Sequence, residues 1–68
     1  MLMRPRYVLI EVENRGHRVA VIEDTHREKV LRVRQKGNRF LRWDQNDDPV
    51  TDAELRRVAR EAFAGVPA

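Results

Sequence analysis

Arginine dominates the side chains able to do chemistry in this sequence. Twelve of the fourteen basic residues are Arg, and seven of the fourteen bases fall within residues 27–43 against a single acid, Glu28. The guanidinium is a planar fork that binds phosphate or carboxylate through two parallel hydrogen bonds, so phosphate is the ligand class this stretch suggests. Arg32, Arg34, Lys36, Arg39 and Arg42 carry the charge, and Phe40 sets an aromatic ring among them. That is the composition of a nucleic-acid platform, on which bases stack while arginines hold the backbone. Residues 44–54 then supply Asp44, Asp47, Asp48, Asp52 and Glu54 with no base. This acidic cluster could pair with the basic strands, within the molecule or across a dimer.

Other chemistries find less support. Asp44-x-Asn46-x-Asp48 begins like a calcium loop, but Pro49 stands where that loop needs Gly and Leu55 where it needs a bidentate Glu. No metal site is expected. The imidazoles are His17 and His26. His26 beside Arg27, with Arg32 or Arg34 on a scissile phosphate, would make a small ribonuclease-type toxin, a remote alternative. No catalytic residue is assigned, since the chain has no Ser, no Gly-rich phosphate loop and no zinc-ligand spacing. The absence of Cys excludes thiolate catalysis, iron–sulfur clusters and disulfides, and it fits a reducing compartment, so a cytoplasmic location is expected. Neither a cofactor nor a small-molecule substrate is expected.

The 68 residues and net charge of +3 describe one small domain spanning 1–68. A chain of this length buries only about 60% of the surface it exposes when unfolded, so a partner or an oligomer would help to hold it. Met1 to Arg6 lacks the apolar h-region of a signal peptide. No stretch approaches the roughly 18 apolar residues that span a bilayer, and no membrane association is expected.

The elements that must position the arginines follow from periodicity. Strands are predicted at about 7–13, 18–23, 29–35 and 39–43, and a helix at about 52–64. Gly16 closes the first hairpin at positive φ. A three-residue loop, Asn14-Arg15-Gly16, would set Val12 opposite Arg18 and Ile10 opposite Ala20; a two-residue loop would set Val12 opposite Val19 and Ile10 opposite Val21. In the second hairpin the odd-numbered Leu31, Val33, Leu41 and Trp43 share a face if Lys36-Gly37-Asn38 is the loop and Asn38 takes the left-handed position. Arg32 would then lie across from Arg42, and Arg34 across from Phe40, on the opposite face. For the helix, Thr51 is the expected N-cap, Glu54 completes a capping box, and Val50 staples against Leu55. Leu55, Val58, Ala59, Ala62 and Phe63 form one apolar stripe while Arg56, Arg57, Arg60 and Glu61 point to solvent, with an Arg57–Glu61 pair. Gly65 is the expected left-handed terminator, and Pro67 blocks continuation.

The fold class predicted is α+β: a four-stranded antiparallel sheet of two β-hairpins, packed on one face by a C-terminal α-helix. The function predicted is a small non-enzymatic nucleic-acid-binding domain that grips the phosphate backbone through Arg32, Arg34, Lys36, Arg39, Phe40 and Arg42. The alternative is a protein-interaction or homodimerisation module with no nucleic-acid role. It rests on the first hairpin having two apolar faces where a helix can cover one. Tyr7, Leu9, Val19 and Val21, or Leu9, Ala20 and Ile22 in the other register, would be left to an interface.

Overall fold

The computed structural model describes residues 5–65. Strands β1 (Tyr7–Asn14), β2 (Arg18–Asp24), β3 (Lys29–Lys36), β4 (Arg39–Arg42) and β5 (Asp48–Pro49) form one antiparallel sheet in chain order, and α1 (Ala53–Ala64) follows. The α+β class with one C-terminal helix holds, and a short fifth strand joins the four expected. Each connection is a local turn, so neighbours in sequence are neighbours in the sheet. Pro67 lies outside the described residues.

Next to its turn the first hairpin adopts neither predicted register, whereas beyond a bulge it falls into the alignment of the two-residue loop. Asn14 pairs with Arg18, Val12 with Ala20 and Glu11 with Val21, and then a bulge at Ile10 shifts the ladder, so that Leu9 pairs with Ile22 and Tyr7 with Asp24. Gly16 does take positive φ, at 81°. A bulge inserts one unpaired residue and so resets the two-residue alternation. The odd-numbered Tyr7 and the even-numbered Val12 therefore both reach the core under the helix, which explains why no single period fits this strand.

The second hairpin is one residue tighter than predicted. Lys36 pairs with Arg39, Gln35 with Phe40, Arg34 with Leu41 and Val33 with Arg42, leaving Gly37-Asn38 as a two-residue loop. Gly37, at φ 60°, takes the left-handed position expected of Asn38. Positive φ at the first central residue alone is the signature of a type II′ turn, which follows the right-handed strand twist. Because side chains alternate, the one-residue change inverts the faces of β4. Phe40 and Arg42 lie on the helix side with Leu31 and Val33, while Leu41 joins Arg32 and Arg34 on the open side. Trp43 has left the strand for the following turn. Gly37→Ala should destabilise the fold by about 1–2 kcal/mol in chemical denaturation, because an L-residue is strained at this φ. Open space around its Cβ position leaves backbone strain as the cause.

Helix α1 buries Leu55, Val58, Ala59 and Ala62 as the stripe predicts, with Phe63 partly buried. Its N-cap is Asp52, one residue after the expected Thr51. The Asp52 carboxylate accepts from the Glu54 amide at 2.9 Å and the Leu55 amide at 3.2 Å, and as an anion it also favours the positive end of the helix dipole. Gly65 stays right-handed at φ −83°, donating its N–H to the Glu61 carbonyl. The core under the helix joins Tyr7, Ala20, Ile22, Leu31, Val33, Phe40 and Val50 to the helix stripe. The helix rests over β1 and β2, so its other flank opens toward β4. No helix among the described residues is long and apolar enough to cross a membrane.

Candidate nucleic-acid interface

The six residues predicted to bind nucleic acid do not form one face. Arg32 and Arg34 project from the open side of the sheet, Phe40 and Arg42 from the helix side, and Lys36 and Arg39 flank the β3–β4 turn. The predicted Arg32–Arg42 and Arg34–Phe40 oppositions do not exist.

Three of the five predicted cations are also neutralised within the molecule. Arg32 Nε donates to Glu13 Oε1 at 3.2 Å, and Glu13 also meets Arg15 at 3.4 Å. Arg34 forms a two-pronged pair with Asp47, Nε to Oδ1 at 2.9 Å and Nη2 to Oδ2 at 2.6 Å. Arg42 does the same with Asp44, both bonds at 2.9 Å. The Arg32 and Arg15 guanidiniums hold the Glu13 carboxyl below the usual carboxylate range. Arg34 does the same for Asp47. At Asp44 burial opposes the charge, and the Arg42 guanidinium outweighs it, so that this carboxyl too is lowered.

These pairs have a packing role. Glu13 and Arg32 stand on the strands either side of β2, so their ion pair crosses β2 on the open side, where Val19 and Val21 lie. The Arg34–Asp47 pair likewise reaches across β4 at Leu41, its cross-strand neighbour. Long arginine stems can cover apolar surface while the head group stays solvated. Val19, Val21 and Leu41 are accordingly buried although no helix covers them. Trp43 closes one end of this face, edge-on to His17 at 6.1 Å and under the Arg15 guanidinium at 5.8 Å. Of the four residues expected to form an interface, Tyr7 is in the core, Val19 and Val21 lie beneath these ion pairs, and Leu9 alone is exposed.

The flank between the helix and β4 holds a different set of arginines. A cleft of about 270 Å³ is lined by Arg39 and Asn38 from the β3–β4 hairpin, by Arg56 and Arg60 from the helix, and by Phe40, Pro49 and Val50. All three arginines are exposed, and none has a carboxylate partner among the described residues. Lys36 lies on the other side of the same turn, beside Arg39. Phe40 stacks on Phe63, ring centroids 6.2 Å apart and nearly parallel at 12°, at the boundary with a second recess that Arg60 also lines. No protein-family model, curated protein or solved structure matches this chain.

The sequence places Arg56 and Arg60 on the outer face of the helix, where solvation is their expected role and a phosphate track is open to them only around an edge of the sheet, since a helix lying centrally turns that face away from everything. The offset toward β1 and β2 is what brings them to the sheet edge. One sequence signal was available. Arg56 and Arg60 are like charges at i, i+4, a mildly unfavourable spacing, whereas Arg57 has its acid at the same spacing and meets Glu61 at 3.2 Å. As for the other candidates, His26 lies exposed in the β2–β3 turn with its amide bonded to Asp24, and Arg32 and Arg34 hold carboxylates rather than an open anion site. Among the described residues no three His, Cys, Asp or Glu gather as a metal site would require.

Proposed function

We propose that this chain is a non-enzymatic nucleic-acid-binding domain that holds the phosphate backbone in the cleft between α1 and β4, through Arg39, Arg56 and Arg60, with Lys36 beside them. One observation supports this reading above the others. Carboxylates neutralise Arg32, Arg34 and Arg42, yet Arg39, Arg56 and Arg60, which have no carboxylate partner among the described residues, gather around a single cleft with an apolar floor. Mutual repulsion among three unpaired cations is relieved by a polyanion, and guanidinium pairs with phosphate oxygens in the geometry it uses for carboxylates. Without base-edge readout in view, binding through such contacts is electrostatic and independent of sequence.

The test is fluorescence anisotropy with labelled single-stranded DNA, duplex DNA and RNA of about 20 nucleotides, a length that exceeds the footprint of one small module. Binding is expected at low salt. For duplex it should weaken with a log–log salt slope near −3, since each neutralised phosphate contributes about −0.9. Combined Arg39→Ala, Arg56→Ala and Arg60→Ala should reduce affinity at least ~10-fold and flatten that slope. Arg27→Ala, which removes one charge from the exposed β2–β3 turn, should change affinity far less than Arg56→Ala, which removes one from the cleft. No binding at low salt, or a triple variant that binds like the wild type, would refute the assignment.

A further inference from the structure

The two edges of the sheet are built differently. On one side β5 is two residues long and ends in Pro49, a short edge that proline keeps from donating a further ladder bond. On the other, β1 presents eight residues without Pro or Lys. At its centre Val8, Leu9 and Ile10 are 36%, 40% and 51% exposed. An edge strand carries a row of outward N–H and C=O groups, and three consecutive apolar side chains put hydrophobic surface on both faces beside that row. Val8 stands in the open-face row with Glu23, and Leu9 in the helix-face row with Ile22.

We propose that β1 pairs antiparallel with β1 of a second copy of this chain, making a two-fold dimer with a continuous sheet. This inference is independent of the nucleic-acid reading. The strand is self-complementary about Leu9. With the two-fold axis there, Leu9 meets the partner's Leu9, Val8 meets the partner's Ile10, and Tyr7 meets the partner's Glu11. The exposed apolar residues Val8, Leu9 and Ile10 oppose one another and no acid faces an acid, whereas an axis at Glu11 would oppose two carboxylates, which is destabilising. A two-fold contact of this kind is closed, because each copy uses its β1 edge once. The free edges of the dimer would be the two ending in Pro49, which accept no further strand, so assembly stops at two. The bulge at Ile10 shortens the regular pairing and keeps the interface small, which places association in the weak, reversible class.

Sedimentation equilibrium of the full chain from roughly 10 µM to 1 mM tests the proposal, a range chosen for an interface below the standard size. A monomer–dimer equilibrium without larger species is expected. Leu9→Lys and Ile10→Lys place charge on the edge, and each should weaken association at least ~10-fold. Val30→Lys, on the exposed sheet face two strands away, should leave it unchanged. Circular dichroism establishes that each variant folds. Should the lysine variants unfold, hydrogen exchange of the wild type decides: the Leu9 amide, which alternation from the Arg6–Thr25 bonded pair turns to the outer edge, should exchange more slowly as concentration rises. A wild-type monomer throughout, exchange independent of concentration, or association abolished by Val30→Lys and untouched at the edge would overturn it.

Discussion

Ile22→Ala is expected to lower folding stability by about 3 kcal/mol, within the range of about 2–5 kcal/mol for truncating a buried isoleucine. Ile22 is fully buried at the centre of β2, paired with Leu9 and Leu31 and packed in the core under the helix. Its removal would leave a cavity with the sheet on one side and the helix on the other, and neither can collapse without breaking the ladder. A domain of this size holds only about 3–10 kcal/mol in all, so the variant would lose from about a third to all of its margin. Its thermal midpoint should fall by roughly 12–24 °C, at about 4–8 °C per kcal/mol for such a domain. Val30→Ala, at an exposed position of the next strand, serves as the comparison and should shift the midpoint by a few degrees at most. Equal losses for the two variants would contradict the core described above.

The helix was legible in the sequence because its pattern is local and redundant. The stripe Leu55, Val58, Ala59 and Ala62 has the period of one helical face, and the acidic first turn marks its start. What local pattern could not decide was which of two adjacent capping residues, Thr51 or Asp52, takes the cap. Asp52 is also tied to β1: its Oδ2 accepts from the Tyr7 hydroxyl at 3.2 Å and lies 3.8 Å from Arg6. Those contacts span more than forty residues, beyond the reach of any local rule.

The sheet was legible in its strands and illegible in its registers, and the functional reading depended on register. Parity fixes the second hairpin only on the premise that Leu41 and Trp43 both point inward. The premise fails because the strand ends at Arg42. The dipeptide Gly37-Asn38, itself a two-residue hairpin signal, carried the correct information. In the first hairpin the bulge at Ile10 has no composition signal beyond the awkward run of apolar residues on both faces. The neutralising partners of Arg34 and Arg42 were visible as the acidic cluster of residues 44–54, and pairing within the molecule was among its expected uses. The Arg39, Arg56 and Arg60 cleft depends on where the helix lies across the sheet, a tertiary fact that periodicity does not encode.

Asp24→Ala should cost about 2–3 kcal/mol near neutral pH, the penalty for leaving buried donors without an acceptor. Asp24 is 3% exposed, a buried carboxylate at the end of β2. Its Oδ1 accepts the His26 amide at 3.1 Å and the Arg27 amide at 3.3 Å, folding the β2–β3 turn around it, and Arg6 Nε lies 3.6 Å away. Burial by itself would raise this carboxyl; the Arg27 and His26 amides and the Arg6 guanidinium outweigh it, and the net direction is downward. A carboxyl lowered in the folded state contributes stability that is complete above its unfolded value, near 3.9, and that fades as pH falls through the folded value. Denaturant titrations should therefore find the gap between wild type and Asp24→Ala full at pH 7 and narrowing below about pH 4. Asp24→Asn keeps an oxygen for the turn amides but loses the charge facing Arg6, so it should fall between the two at neutral pH. A gap that stays constant from pH 7 into the acid range would mean that Asp24 acts by packing alone, with its ionisation contributing nothing to the turn.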